Sequence, residues 1–254
     1  NIQGEVARVD FEDAKDNRIP NRTNEKAPVT LRGENKLVEG RFGKAVQLSG
    51  DDALDIPGGN FNRVDPFTIS LWIQTPDVKE RAVVLHRSKA WTDAASRGFE
   101  LLIEEGKLKW SLIRFWPGDA ASIRCRTQLK PGEWTHVVVS SDGSGLAAGL
   151  RIQINGEKAQ VDTIKDSLSR DINPGRESIT LGERMRDRGF KKGLVDEVRI
   201  FDRELSSLEM LAVFDKSKAD ALFSKTASGL SSADRATLEE YFLKTQCAEY
   251  TEGL

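Results

Sequence analysis

Gly193-Leu-Val-Asp-Glu-Val-Arg-Ile-Phe-Asp-Arg-Glu-Leu205 is the stretch whose reading decides the fold. Val195, Val198 and Ile200 supply β-branched bulk, while Asp196, Glu197 and Arg199 interrupt it, the mixture of a half-buried antiparallel strand. In a regular strand Asp196 shares a face with Val198 and Ile200, so its carboxylate is expected to point inward or to the end of the sheet. A helix start follows directly. Ser206 and Glu209 have the spacing of a capping box, in which a hydroxyl and a carboxylate satisfy each other's orphan amides.

Working outward, the rest of the chain supplies more strands of the same kind. Glu5 to Glu12 alternates Ala7, Val9 and Phe11 with Arg8, Asp10 and Glu12, a period-two pattern with one wet face. A polar stretch from Lys15 to Pro28 reads as a long surface loop. Phe42-Gly-Lys-Ala-Val-Gln-Leu48, Asp55-Ile-Pro57 and Pro66-Phe-Thr-Ile-Ser-Leu-Trp-Ile73 read as strands, the last with Phe67, Ile69, Leu71 and Ile73 on one face. Val83 to His86, Gly98 to Ile103 and Leu108 to Trp116 continue the series up to a Pro117-Gly118 turn. Gly132-Glu-Trp-Thr-His-Val-Val-Val139 pairs in expectation with Leu150-Arg-Ile-Gln-Ile-Asn-Gly156, where Asn155-Gly156 is a strong hairpin signal. Short strands punctuated by turns, without long helices between them, predict a two-sheet antiparallel sandwich. After Phe214 the composition changes. Lys218 to Lys225 and Ser231 to Lys244 read as short helices, the second with a serine cap and a small apolar stripe of Leu238, Tyr241 and Phe242.

Composition is consistent with one large β domain. A chain of 254 residues buries roughly 70–75% of its unfolded surface, and sandwiches commonly reach this size. The 38 basic and 40 acidic residues nearly cancel, which gives no field to attract nucleic acid or an anionic membrane. No apolar run approaches the ~18 residues of a membrane span. Asn1 opens the chain without Met or a signal-like segment, so the expectation is a piece cut from something longer. Cys125 and Cys247 fit no metal spacing and are both expected as free thiols.

Taken as a set, these motifs resemble laminin-G-like domains of the concanavalin A-like lectin/glucanase superfamily. The closing strand matches Gly-x-(Ile/Val)-Asp-Glu-(Val)-Arg-(Ile)-(Tyr/Phe)-x-Arg-x-Leu-(Ser/Thr)-x-x-Glu. The blocks at Phe42–Gly50, Phe67–Ile73 and Gly132–Val139, and Phe11-Glu12-Asp13 near the start, look like other segments of that family. The resemblance implies an all-β, two-sheet antiparallel jelly-roll sandwich over residues 1–214, with a short C-terminal helical tail, residues 215–254, leading toward a following domain. A narrower likeness lies in Phe115-Trp-Pro-Gly118, Asp142-Gly-Ser-Gly-Leu-Ala-Ala-Gly149 and Gly182-Glu-Arg-Met-Arg-Asp-Arg-Gly-Phe190. These resemble the insert domain of large planctomycete secreted proteins that also carry cytochrome-c-like domains. That likeness implies an exported setting, periplasmic, cell-surface or extracellular, and no catalytic role.

The residues themselves argue in the same direction on catalysis. Glucanases of the superfamily carry a Glu-x-Asp-x-Glu strand whose two glutamates share one face, close enough for a retaining mechanism. Asp196-Glu197 and Glu104-Glu105 are adjacent pairs, whose members point to opposite faces of a strand. His136, alternating with Trp134 and Val138, reads as a hydrogen-bonded core histidine, and His86 ends a strand beside Arg87. Neither a nucleophile triad, a phosphate-binding glycine loop nor a zinc spacing stands out.

Two binding chemistries remain. Asp196, if buried, needs a partner: backbone amides or an arginine on one reading, a structural Ca²⁺ on the other, with Glu12 and Asp13 as its companions. No cofactor is otherwise required. A glycan needs aromatic faces ringed by planar hydrogen-bonding groups. Trp91, Phe115, Trp116 and Phe190 lie in or beside expected loops or strand ends, and Arg87, Arg97, Arg114, Arg184, Arg186 and Arg188 lie near them in sequence. The expected ligand-binding set is Arg87, Trp91, Arg114, Trp116, Arg184 and Arg188, which would suit sulfated or carboxylated polysaccharides. Trp72, Trp110 and Trp134 are expected in the core. The leading reading is a noncatalytic carbohydrate-binding module of a larger exported protein. The alternatives are a structural module that positions neighbouring domains of the parent chain and, behind it, a glycoside hydrolase.

Overall fold

In the central strand, Phe67, Ile69, Leu71 and Ile73 point one way and Thr68, Ser70 and Trp72 the other, and both sets are buried. Such a strand must be covered on both faces. The computed structural model describes residues 2–90 and 96–247. In chain order the strands are β1 (Glu5–Val9), β2 (Arg18–Ile19), β3 (Val29–Thr30), β4 (Lys36–Glu39), β5 (Lys44–Gln47), β6 (Leu54–Ile56), β7 (Phe67–Gln74) and β8 (Arg81–Ser88). They continue as β9 (Gly98–Glu104), β10 (Lys107–Phe115), β11 (Asp119–Cys125), β12 (Thr135–Ser141) and β13 (Leu150–Ile154). The last are β14 (Glu157–Lys158), β15 (Val161–Asp166), β16 (Ile179–Leu181) and β17 (Leu194–Phe201), followed by helices α1 (Ser207–Phe214), α2 (Lys216–Phe223) and α3 (Ser232–Gln246).

Among the described residues one sheet runs β14-β13-β12-β7-β17-β5-β4, with β1 added beside β17, and the other runs β15-β11-β10-β9-β8-β16-β6. Named strands pair antiparallel throughout. The chain is thus a two-sheet all-β sandwich with a helical C-terminal region. Its core lies between the sheets, where Phe67 meets Phe99 at 5.0 Å and Trp110 at 5.9 Å between ring centroids. Each such fully buried side chain contributes about 1.5–3 kcal/mol relative to exposure. Trp110 is in the core, as expected, and its indole N–H donates to the Ser140 carbonyl at 3.1 Å.

A second, smaller cluster of Val138, Phe201, Leu205 and Met210 lies apart from that core, on elements of the eight-stranded sheet and α1. The capping box that starts α1 is formed as read: the Glu209 amide donates to Ser206 Oγ and the Ser206 amide to Glu209 Oε2. Ser231 and Asp234 cap α3 in the same way. The last helix folds back on the sandwich, because Glu240 takes Arg151 Nη1 at 3.0 Å and the Ser207 amide at 3.2 Å. Among the described residues no helix is long and apolar enough to cross a membrane.

The closing strand departs from regular alternation at one point. Asp196 stands opposite Trp72 and Arg199 opposite Ser70, so β17 spends one residue more than β7 over this interval. The extra residue is Glu197, in the left-handed region at φ 47°, which makes a β-bulge. The bulge shifts the phase of the strand. Val195, Val198 and Ile200 all join the core, whereas Asp196, expected on the Val198 and Ile200 face, lies opposite Trp72 on the other side.

Candidate functional site

Period two in β9 sends Phe99, Leu101 and Ile103 into the core and turns Glu100, Leu102 and Glu104 to the opposite face of the seven-stranded sheet. His86 and Ser88 of β8 and Lys109 and Ser111 of β10 share that face, and all four are buried. The segment from Glu183 to Arg188 runs along β8, with the Arg188 carbonyl accepting from the Val83 amide and the Glu183 carbonyl 2.9 Å from His86 Nε2. It inserts charge into this face. Arg184 pairs with Glu100 through Nη1 and with Asp187 through Nη2 at 2.5 Å. Asp187 also takes Arg81 at 2.7 and 3.0 Å, Arg81 reaches Glu104 at 2.8 Å, and Lys109 closes on Glu104 at 3.0 Å.

Three acids and three bases therefore alternate in a ladder, Glu100–Arg184–Asp187–Arg81–Glu104–Lys109, and Lys109 Nζ ends it 4.3 Å from the centre of the Trp116 ring. Burial pushes the Asp187 carboxyl up, but hydrogen bonds from Arg81 and Arg184 outweigh it and hold the group below the usual carboxylate range. Burial likewise opposes the charge on Arg184, and Glu100 and Asp187 override it. Glu100 and Glu104 are thus each held by an arginine, on strand positions about 13 Å apart.

At one end of the sandwich, the tip of the β10–β11 hairpin presents Arg114, Phe115 and Trp116. Phe115 is 57% exposed, Trp116 is half-buried against Lys109, and Arg114 donates to the Asp171 carbonyl at 3.3 Å. Beside them Asn62, Arg63, Val64, Ser169 and Asp171 line a cleft of about 230 Å³. Asp119 ties these loops together by accepting from the Ser169 amide at 2.7 Å and Arg170 Nε at 2.7 Å.

The expected ligand-binding set does not converge. Arg114 and Trp116 meet at this end, but Arg87 is 0% exposed and spends its guanidinium on the carbonyls of Arg176 and Phe61 and on Asn60 and Asn173. Arg184 is sealed in the ladder. Arg188 lies at the opposite end of the sandwich, paired with Glu80 at 2.5 Å, and Trp91 lies outside the described residues. Arg87 and Arg184 are thus buried on carbonyls and carboxylates, which leaves their guanidinium groups no access to a sugar, whereas Arg188 is exposed but stands apart from Arg114 and Trp116. Phe190, read beside a loop, is fully buried in the core. The loop residues Asn62, Arg63 and Ser169 carried no signal in the sequence, and the Glu100/Glu104 pair was missed, although a spacing of four in a strand puts both on one face.

The residues of the expected metal set, Asp196, Glu12 and Asp13, are engaged by backbone amides and an arginine. Asp196 Oδ2 accepts the amides of Arg41 and Phe42 at 2.9 and 3.0 Å, and Oδ1 that of Glu197 at 2.8 Å. Glu12 accepts the Lys44 amide at 2.7 Å, and Asp13 pairs with Arg22 at 2.6 Å. The turn joining β4 and β5 is therefore clamped by Asp196 and Glu12, with Asp13 turned to an arginine. Among the described residues no three His, Cys, Asp or Glu side chains are placed to hold a metal ion.

Both histidines are structural. Burial, with Arg184 and Arg176 nearby, pushes His86 down to about 3, and its ring bonds Ser88 Oγ at 2.8 Å. Burial pushes His136 down to about 4, and its Nε2 lies 2.9 Å from Ser70 Oγ.

The family model described as concanavalin A-like lectin/glucanases superfamily matches residues 48–210, well over half of the chain. The chain belongs to the concanavalin A-like lectin/glucanases superfamily. Comparison with curated protein sequences finds no match. Among solved structures, the binding domain of Paraclostridial Mosquitocidal Protein 1 superposes with a TM-score of 0.62 at 16% identity, over 84% of this chain and 52% of that one. The botulinum neurotoxin serotype G binding domain gives 0.63 at 15% identity, over 84% and 51%. The botulinum neurotoxin serotype D ligand binding domain in complex with N-acetylneuraminic acid gives 0.61 at 17% identity, over 84% and 51%. The chain thus spans about half the length of these structures, and at such identities the likeness is one of fold. This superfamily sandwich presents strands on two faces and loops at two ends. Here the outer face of the seven-stranded sheet carries the chain's own ion ladder, and the loop end beside Trp116 presents an exposed aromatic and polar surface.

Proposed function

We propose that this chain is a noncatalytic carbohydrate-binding module of a larger exported protein, and that its glycan surface is the loop end carrying Arg114, Phe115 and Trp116. The observation that carries the reading is the exposed Phe115 ring beside half-buried Trp116, next to a cleft of about 230 Å³ bordered by Arg63, Ser169 and Asp171. Aromatic faces stack on sugar C–H surfaces while guanidinium and carboxylate groups at the edge take hydroxyls. Arg63 and Arg114 favour carboxylated or sulfated glycans. A structure of related fold holds N-acetylneuraminic acid, a carboxylated sugar. The noncatalytic part rests on Glu100 and Glu104: each is held by an arginine, so neither is free to serve as general acid or nucleophile.

A glycan array that includes sulfated polysaccharides tests this. Binding by the wild type should fall at least tenfold in Phe115→Ala and Trp116→Ala and stay unchanged in Arg188→Ala. An array silent for the wild type, or binding indifferent to both aromatic substitutions, refutes it. The second reading, a module that positions neighbouring domains, is favoured by Phe223 and Phe242 on the tail helices, each 57% exposed.

A further inference from the structure

The end of α1 and the eight-stranded sheet enclose a cleft of about 210 Å³ lined by Phe42, Trp72, Phe214, His136, Glu197 and Arg199. Its walls are aromatic. Trp72 stands 5.7 Å from Phe42, nearly edge-on, and 5.7 Å from Phe214, with the His136 ring 5.1 Å away. Each ring has a structural reason to be there. Trp72 and His136 occupy positions on adjacent strands β7 and β12 directly across from one another. Phe42 is set by the Asp196 clamp on its own amide, and Phe214 is seated against the hairpin glycine Gly156, where an added Cβ would lie 2.7 Å from its ring.

Charges of both signs surround these rings. Arg41 holds its guanidinium 5.0 Å from the Trp72 ring and 5.2 Å from Phe42. It is exposed, and among the described residues it has no carboxylate partner. Lys218 sits 5.3 Å from Phe214. The π-faces here already collect the chain's own cations. At the rim the bulge presents Glu197, a half-buried carboxylate whose nearest cation, Arg8, is 3.4 Å away. Burial raises the Glu197 carboxyl above its usual range, against the opposing pull of Arg8 and Arg199. Arg199 is tied to Glu5 at 2.5 Å, and His136 is neutral at ordinary pH.

We propose that this cleft binds a small alkylated ammonium group, and that Arg41, held near the Phe42 and Trp72 rings at its edge, competes with it for them. Three aromatic rings and one carboxylate are the groups that recognise such a cation. The cleft is smaller than the several hundred Å³ of a typical drug-sized pocket, so it admits an ammonium head on a short stem and not an oligosaccharide. It lies on the other sheet from the ion ladder, away from the Trp116 hairpin, and stands or falls separately from the glycan reading.

The experiment is a titration of ¹⁵N-labelled protein with tetramethylammonium chloride, choline chloride and the neutral tert-butyl analogue of choline at matched ionic strength. The Trp72 indole signal, assigned with Trp72→Phe, is followed. The expected result is a saturable shift with both cations and at least about fivefold weaker binding of the neutral analogue. Phe42→Leu and Glu197→Gln should each weaken cation binding by about 2–30-fold, and Arg41→Ala should strengthen it. Phe42 is 48% exposed, so its truncation leaves the fold intact, and a thermal melt checks Glu197→Gln. An absence of saturation in both wild type and Arg41→Ala, equal binding of the neutral analogue, or weaker binding by Arg41→Ala overturns the proposal.

Discussion

Replacing Arg184 with methionine keeps most of the side-chain volume and removes the charge at the middle of the buried ladder. Arg184 and its carboxylate partners Glu100 and Asp187 have side chains only 1–2% exposed. Glu100 would lose its ion-pair partner and Asp187 one of two arginines. Removing one partner of a buried pair leaves an uncompensated charge and costs about 3–5 kcal/mol. In a domain of this size that is roughly 6–20 °C in Tm. The loss should depend on pH with a defined sign. The variant can relieve its burden by taking a proton onto one of the abandoned carboxylates, so its folded state binds a proton that the unfolded chain at neutral pH does not. A carboxyl raised in the folded state contributes stability at low pH that is lost as pH rises, and the deficit against wild type therefore shrinks from pH 8 to pH 5. Urea denaturation of both proteins at the two pH values measures this. Adding Glu100→Gln should recover a large part of the loss, since the orphaned charge is then gone. A deficit below about 1 kcal/mol at pH 8, or one that does not change with pH, would refute the claim that the ladder is a closed set of mutually dependent charges.

Other outcomes follow from single groups. Burial, opposed by the amides of Phe42, Glu197 and Arg41, raises Asp196 from 3.8 to about 6. It therefore stabilises the fold below about pH 4 and loses that contribution as pH rises through 6, on the order of 2–3 kcal/mol; Asp196→Asn should flatten the urea midpoint over this window. Asp196→Ala should cost about 1–3 kcal/mol, because three amides lose their acceptor, and a thermal melt at pH 7 reads it. Burial pushes the Cys125 thiol up to about 12, so in a Cys247→Ser background a thiol reagent at pH 8 should react only at the rate of unfolding. Ser206→Ala removes the α1 cap and should lower stability by about 1 kcal/mol.

Much of the architecture was legible because it rests on local chemistry. Alternation in Phe67–Ile73, the strand at Gly98–Ile103, the Asn155-Gly156 hairpin and the Ser206/Glu209 box all act within a few residues, and all are present in the structure. The candidate site was legible only in part. Arg114 and Trp116 were placed at a strand end because an aromatic next to an arginine precedes a Pro-Gly turn, and β10 does end at Phe115. Arg87 and Arg184 carry the same residue type near loops but are consumed by carbonyls and carboxylates that come from 26 and 84 residues away. Nothing local marks such a partner.

The sequence by itself determined that period-two strands close two facing sheets, where a short helix begins, and that adjacent acids cannot act as one catalytic pair, since each of these follows from backbone geometry within a strand or turn. Tertiary structure alone decided which charges meet and which face each polar side chain takes. One left-handed residue, Glu197, reversed the phase of the closing strand and set the Asp196 carboxylate as the clamp of a neighbouring hairpin. Phase and pairing depend on neighbours distant in the chain, and a side chain's chemistry in water does not reveal what will desolvate it.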